Sequence, residues 1–171
     1  MIESLITSKT RINLLLKFFL NPETKGYLRN LETEFGESTN AIRIELNRFE
    51  KAGLLNSEKI KNKKYFSANT SHPLYNDINS ILLKYTGLDN IILKITNKIG
   101  NLEKVYISGD IALGRDSKII ELIIIAKNLD IEFLEKCIKN ARIFIKRKIK
   151  YTIYPTNENI NKVTAFLLWE K

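Results

Sequence analysis

Asn40, Arg43 and Asn47 stand at i, i+3 and i+7, a spacing that gathers all three on one side of a helix. Arginine can donate in bidentate fashion to guanine O6 and N7, and asparagine can pair with adenine N6 and N7. A helix carrying this trio can therefore read base edges in a DNA major groove. Ile42, Leu46 and Phe49, at i, i+4 and i+7, form a separate apolar face for packing. Ser38 is a fitting N-cap and Gly53 a fitting terminator, while Ser38 and Thr39 lie where helix N–H groups favour phosphate. Beyond this helix, Lys59, Lys61, Lys63 and Lys64, with Asn62 among them, form a basic cluster suited to backbone phosphates. Such contacts add affinity rather than sequence choice.

These residues need elements to hold them. Residues 9–20 place Ile12, Leu15, Leu16 and Phe19 on one face and stop at Asn21 and Pro22. Residues 27–35 repeat the pattern with Leu28, Leu31 and Phe35, and Gly36 makes a tight turn before the helix that starts at Ser38. Two helices joined this closely, the second with a polar outer side, form a helix-turn-helix pattern. Leu54 and Leu55 on one side, Tyr65 and Phe66 on the other, bracket a polar stretch that reads as two short strands joined by a basic loop. Residues 73–85 and 90–99 carry helical spacing, with Gly87 and Gly100 as stops. The pattern then changes. Residues 104–108 and 119–126 read as strands, 131–147 as an amphipathic helix, 150–154 as a strand, and 159–169 as a closing helix with Trp169 against the sheet. The expectation is an α+β chain: a helix-turn-helix with its hairpin over 1–68, a helical connector over 69–100 and a small α/β domain over 101–171.

The stretch ELNRFEKAGLL and the hairpin after it resemble the winged helix-turn-helix domains of ArsR-like bacterial transcription regulators, over roughly residues 5–68. The resemblance implies double-stranded DNA as partner and a homodimer whose two recognition helices read adjacent half-sites. The cysteine cluster of metal-responsive members is missing, so metal sensing is not implied.

VYISGDIALGRDSKIIELIII, residues 105–125, resembles the strand, glycine turn and strand of small nucleotidyltransferase domains. In those domains a glycine-serine pair follows the first strand, and two acidic residues one position apart lie on the next. Two Mg²⁺ ions need several carboxylate oxygens gathered closely. Gly109 matches the glycine, Asp110 stands at the serine position, and Ala112 and Gly114 fit the small residues of the turn. Ile119 and Glu121 fall on the two acidic positions, and KIKYTIY offers no third carboxylate. Isoleucine cannot ligate Mg²⁺, so a degenerate domain without catalytic residues, metal or cofactor is expected. Two alternatives stay open: a plain α/β dimerisation domain, or an active enzyme using Asp110, Asp116 and Glu121.

With 28 Lys and Arg against 19 Asp and Glu, the 171-residue chain carries a formal charge of +9, which suits a phosphate-bearing partner. Residues 1–67 hold +4 of it and the remainder +5, so charge alone does not single out the helix-turn-helix. Cys137 and His72 are the sole cysteine and histidine, which excludes an intramolecular disulfide and a zinc site of several Cys or His ligands. Cys137 fits a core position and His72 a loop or cap. No apolar run approaches a membrane span and no leader pattern opens the chain, so a cytoplasmic protein without a membrane partner is expected. Residues 136–150 hold seven basic side chains and no acidic one: a solvated face, or a second surface for DNA phosphates or an unidentified anionic ligand. The leading expectation is a DNA-binding transcription regulator. Its rivals are a nucleotidyltransferase recruited by its winged helix, and an adaptor whose winged helix contacts protein.

Overall fold

The structure, a computed structural model, describes residues 4–95, 99, 102–145, 147–156 and 164–171. The chain is mixed α and β and divides into two compact units, Met1–Leu82 with Gly114–Asp116, and Leu83–Leu113 with Ser117–Lys171.

The first unit begins with α1 (Lys9–Phe19), capped by Ser8, whose hydroxyl accepts from Arg11 N at 3.2 Å. A two-residue strand β1 (Gly26–Tyr27) leads directly into α2 (Leu28–Phe35). Gly36 then adopts φ +63°, a left-handed conformation that glycine enters without Cβ strain, and the chain turns into α3 (Thr39–Lys51). Ser38 caps α3 by accepting from Ala41 N at 3.2 Å. Strands β2 (Leu55–Ile60) and β3 (Lys63–Ala68) form a hairpin, and β1 pairs with the other side of β3 to give a sheet of order β1-β3-β2. The hairpin turn is only Lys61 and Asn62. Lys59, Lys63 and Lys64 therefore lie on strands, not in the loop expected from the sequence. Ile42, Leu46 and Phe49 of α3 are buried, together with Leu31, Phe35, Leu55 and Phe66.

Polar contacts fix α1 against α3. Arg11 donates from Nε and Nη2 to the two carboxylate oxygens of Glu45, at 2.9 and 3.1 Å, and Arg48 Nη1 adds a third bond at 2.9 Å. Glu45 is only 6% exposed. Burial alone would raise its pKa, but the hydrogen bonds and charges of Arg11 and Arg48 outweigh it and hold the carboxyl below the ordinary glutamate value. Glu37, just before α3, accepts from Thr10 and Asn13 of α1. Helix α4 (Tyr75–Thr86) spans the boundary between the units. In its first-unit half, Asn79 Nδ2 donates to Phe19 O at 2.6 Å, and Tyr75 stacks on Phe19 with ring centres 5.5 Å apart. His72 caps the preceding turn, its Nδ1 accepting from Leu74 N at 3.1 Å.

The second unit holds α5 (Leu88–Lys94), β4 (Leu102–Ser108), the one-turn α6 (Gly109–Ala112), β5 (Ile119–Ala126), α7 (Ile131–Phe144), β6 (Lys148–Tyr154) and β7 (Ala165–Glu170). Its sheet runs β6-β5-β4-β7, with β5 and β6 parallel and the other neighbours antiparallel. Parallel neighbours need a crossover, and α7 supplies it. Ile120, Leu122, Ile124 and Ile149 of the sheet are buried, as are Leu134, Cys137, Ile138 and Ala141 of α7.

Three further expectations need correction. The last segment is not a helix: residues 165–170 form β7, paired with β4 from Ser108↔Ala165 to Lys104↔Glu170, while residues 157–163 lie outside those described. Its apolar residues satisfy a sheet edge that β4 would otherwise leave unpaired. Helix α7 ends at Phe144 rather than 147, because Ile145 turns extended to begin the approach to β6. Tyr27 belongs to β1 rather than to the helix that follows it. The Gly100 stop and Lys146 lie outside the described residues. Among those residues, no helix is long and apolar enough to cross a membrane.

Glu45→Gln should cost about 1.5–3 kcal/mol in denaturant unfolding, the range for a hydrogen bond to a charged group. Because the folded pKa is depressed, this stabilisation is present above about pH 4.3, the ordinary glutamate value, and is lost as pH falls through the folded one. The stability difference between wild type and Glu45→Gln should therefore shrink in acid; a constant difference from pH 7 to pH 3 would contradict it.

Candidate nucleic-acid interface

Helix α3 buries one side and leaves Asn40, Arg43 and Asn47 exposed on the other, as the spacing requires. A groove of about 600 Å³ lies between α3, the start of α2 and the β2–β3 hairpin. Arg29, Arg43, Asn47, Asn62, Lys63 and Lys64 supply its polar lining, and Leu46 and Phe66 lie in its apolar part. Five residues expected from the sequence thus come together: Arg43, Asn47, Asn62, Lys63 and Lys64. The others do not line it. Ser38, Thr39 and Asn40 sit at the N-terminal end of α3, while Lys59 and Lys61 are exposed on the hairpin.

The lysines are not equivalent. Lys63 Nζ lies 4.3 Å from the centre of the Tyr27 ring, a cation–π contact that orients it, and Tyr27 meets Tyr65 edge-on at 5.2 Å. Lys64 instead pairs with Glu50 of α3 at 2.7 Å, and Ser57 also donates to that carboxylate. The hydrogen bond from Lys64, aided by Ser57, holds the Glu50 carboxyl below its usual range. Lys64 therefore joins hairpin to helix, with its charge partly offset, whereas Lys63 presents a full charge.

Two residues outside the sequence expectation stand here. Arg29 reaches the groove because β1 pairs with β3, Tyr27 opposite Tyr65, and draws the first turn of α2 beside the hairpin. A two-residue strand leaves almost no periodic trace, so this placement had no local signal. Ile44 is 43% exposed on the outer side of α3. An apolar side chain there can meet a thymine methyl group, and its position beside Arg43 was the available sign.

In the second unit, Gly109 opens α6 at φ +68°, and a Cβ there would stand 2.5 Å from Glu121 Oε1. Ser108 lies opposite Glu121 across β4 and β5, and both line a cleft of about 390 Å³ with Lys150, Tyr151 and Thr152. The register across β5 and β6 places Lys148 beside Ile119 and Lys150 beside Glu121. Gly109 and Glu121 are thus brought together, while Asp110 is exposed on α6 and Gly114 groups with the first unit. Among the described residues, no three His, Cys, Asp or Glu side chains are close enough to share a metal ion.

Gly109→Ala should destabilise the protein by roughly 1–2 kcal/mol through its left-handed backbone. The Glu121 carboxylate is the flexible end of a side chain and can swing aside, so Gly109→Ala in a Glu121→Ala background should retain most of that loss in thermal unfolding. Full recovery in the double variant would show that the contact, not the backbone, sets the cost. Comparison with known proteins gives no further constraint: no protein-family model, curated protein or solved structure matches this chain.

Proposed function

We propose that the protein is a DNA-binding transcription regulator of winged helix-turn-helix type, in which α3 reads the major groove and the β2–β3 hairpin is the wing. The observation that carries the reading is the groove that sets Arg43 and Asn47 of a surface-facing helix beside Asn62 and Lys63 of an adjacent hairpin. Bidentate side chains on a helix and a positive charge on a neighbouring strand are what base readout and phosphate anchoring respectively require. Residues 1–68 act as the DNA-binding domain, 69–100 as a connector, and 101–171 as an assembly or sensing domain of degenerate nucleotidyltransferase type. Its lack of catalysis is supported by Lys150, a cation beside Glu121 where metal binding would call for further carboxylate oxygen. The regulator works as a cytoplasmic homodimer that presents two copies of α3 to adjacent half-sites.

Duplex binding by Arg43→Ala and Lys63→Ala tests the assignment. Losing Arg43 should reduce discrimination at one base pair by about 1–3 kcal/mol. Losing Lys63 should weaken all duplexes alike and lower the slope of log K against log salt by about 0.9. Salt-independent or undetectable duplex affinity would instead favour a protein-binding adaptor. Mg²⁺-dependent transfer of label from a nucleoside triphosphate, abolished by Glu121→Gln, would overturn the non-catalytic assignment of the second domain.

A further inference from the structure

The second unit contains another groove, of about 660 Å³, formed by the start of β5, the end of α7 and the start of β6. Its polar lining is wholly basic among the described residues: Lys118, Arg142, Arg147, Lys148 and Lys150. Ile119, Ile145 and Ile149 supply its apolar part, the last two almost fully buried. Both arginines are anchored. Arg142 Nη2 donates to Ile149 O at 2.9 Å, while Arg147 donates to Ser117 O and lies 5.0 Å from the centre of the Tyr85 ring. These contacts fix each head group, and a guanidinium has five N–H donors, of which Arg142 uses one on Ile149.

Lysines on an edge strand can serve merely to block strand addition. That role accounts for Lys148 and Lys150 on β6 but not for the convergence of Lys118, Arg142 and Arg147 from other segments. Five cations lining one concave surface repel one another and raise the local concentration of anions. One phosphate cannot neutralise them, and Ile119 with the aliphatic stems of the lysines offers contact to more than phosphate oxygens. The volume lies within the range of small-molecule sites.

We propose that this groove binds a small ligand bearing two or more phosphate groups, its phosphates on the cations and its ester portion against Ile119 and the lysine stems. The site is distinct from the Ser108–Glu121 cleft, although Lys150 lines both. It does not rest on DNA reading by the first unit.

Calorimetric titration of the full chain with sodium tripolyphosphate, and separately with ATP, tests the proposal. The key variant is K118A/K148A, which removes two exposed cations and keeps both anchored arginines. K118R/K148R restores the charge, and R43A removes a cation from the other groove. Saturable binding to wild type, K118R/K148R and R43A, weakened at least about tenfold in K118A/K148A, is the expected result. Undetectable binding at millimolar probe, equal affinity in K118A/K148A, or loss of binding in R43A would overturn it. Duplex titrations over a salt series distinguish the other source of phosphate. A salt slope lowered by about 1.8 in K118A/K148A, with no tripolyphosphate binding, would assign the groove to DNA backbone and likewise overturn the proposal.

Discussion

Helix α3 is held at one rotation about its axis by a buried carboxylate. Glu45 is buried on the inner side of the helix, and Arg11 and Arg48 satisfy it with three hydrogen bonds. A charge removed from water without partners costs several kcal/mol. Each residue of a helix subtends about 100°, so even a partial roll of α3 would part Glu45 from Arg11 and expose Ile42 or Phe49. The hydrophobic face alone would tolerate small rotations, because apolar contacts are not directional. The ion pair is directional, and it therefore sets where Arg43 and Asn47 point.

The hairpin is fixed to the same helix by comparable means. Glu50 takes hydrogen bonds from Lys64 and Ser57, one from each strand. Lys63, one residue from Lys64 and so on the opposite face of β3, rests over Tyr27. Alternation along a single strand thus divides two adjacent lysines between a structural and a surface role. A positioned lysine loses less rotamer freedom when it meets a phosphate than a freely moving one does.

Where a periodic signal was long, the sequence predicted the element closely. The apolar run over 119–126 coincides with β5, and Ser38 caps the third helix. The faces of α3 also agree with the spacing of Ile42, Leu46 and Phe49. Legibility failed where partners distant in the chain decide the outcome. AFLLWE is apolar enough for either a helix or a strand, and only pairing with β4, some sixty residues earlier, makes it β7. The two residues of β1 are a strand solely because β3 lies beside them, and that pairing brings Arg29 to the groove. The basic run after residue 136 showed its charge but not its geometry, since Lys118 joins it only through the neighbouring parallel strands.

Strand β6 closes one side of its sheet, with Lys148 and Lys150 exposed along it. Ammonium groups repeated along an outer strand disfavour docking of a second copy there, because identical strands would bring like charges together. The strand at the other end of the sheet, β7, instead exposes Leu167 and pairs with β4. Among the described residues the two outer strands of this sheet thus differ in chemistry, one carrying ammonium groups and the other an exposed leucine.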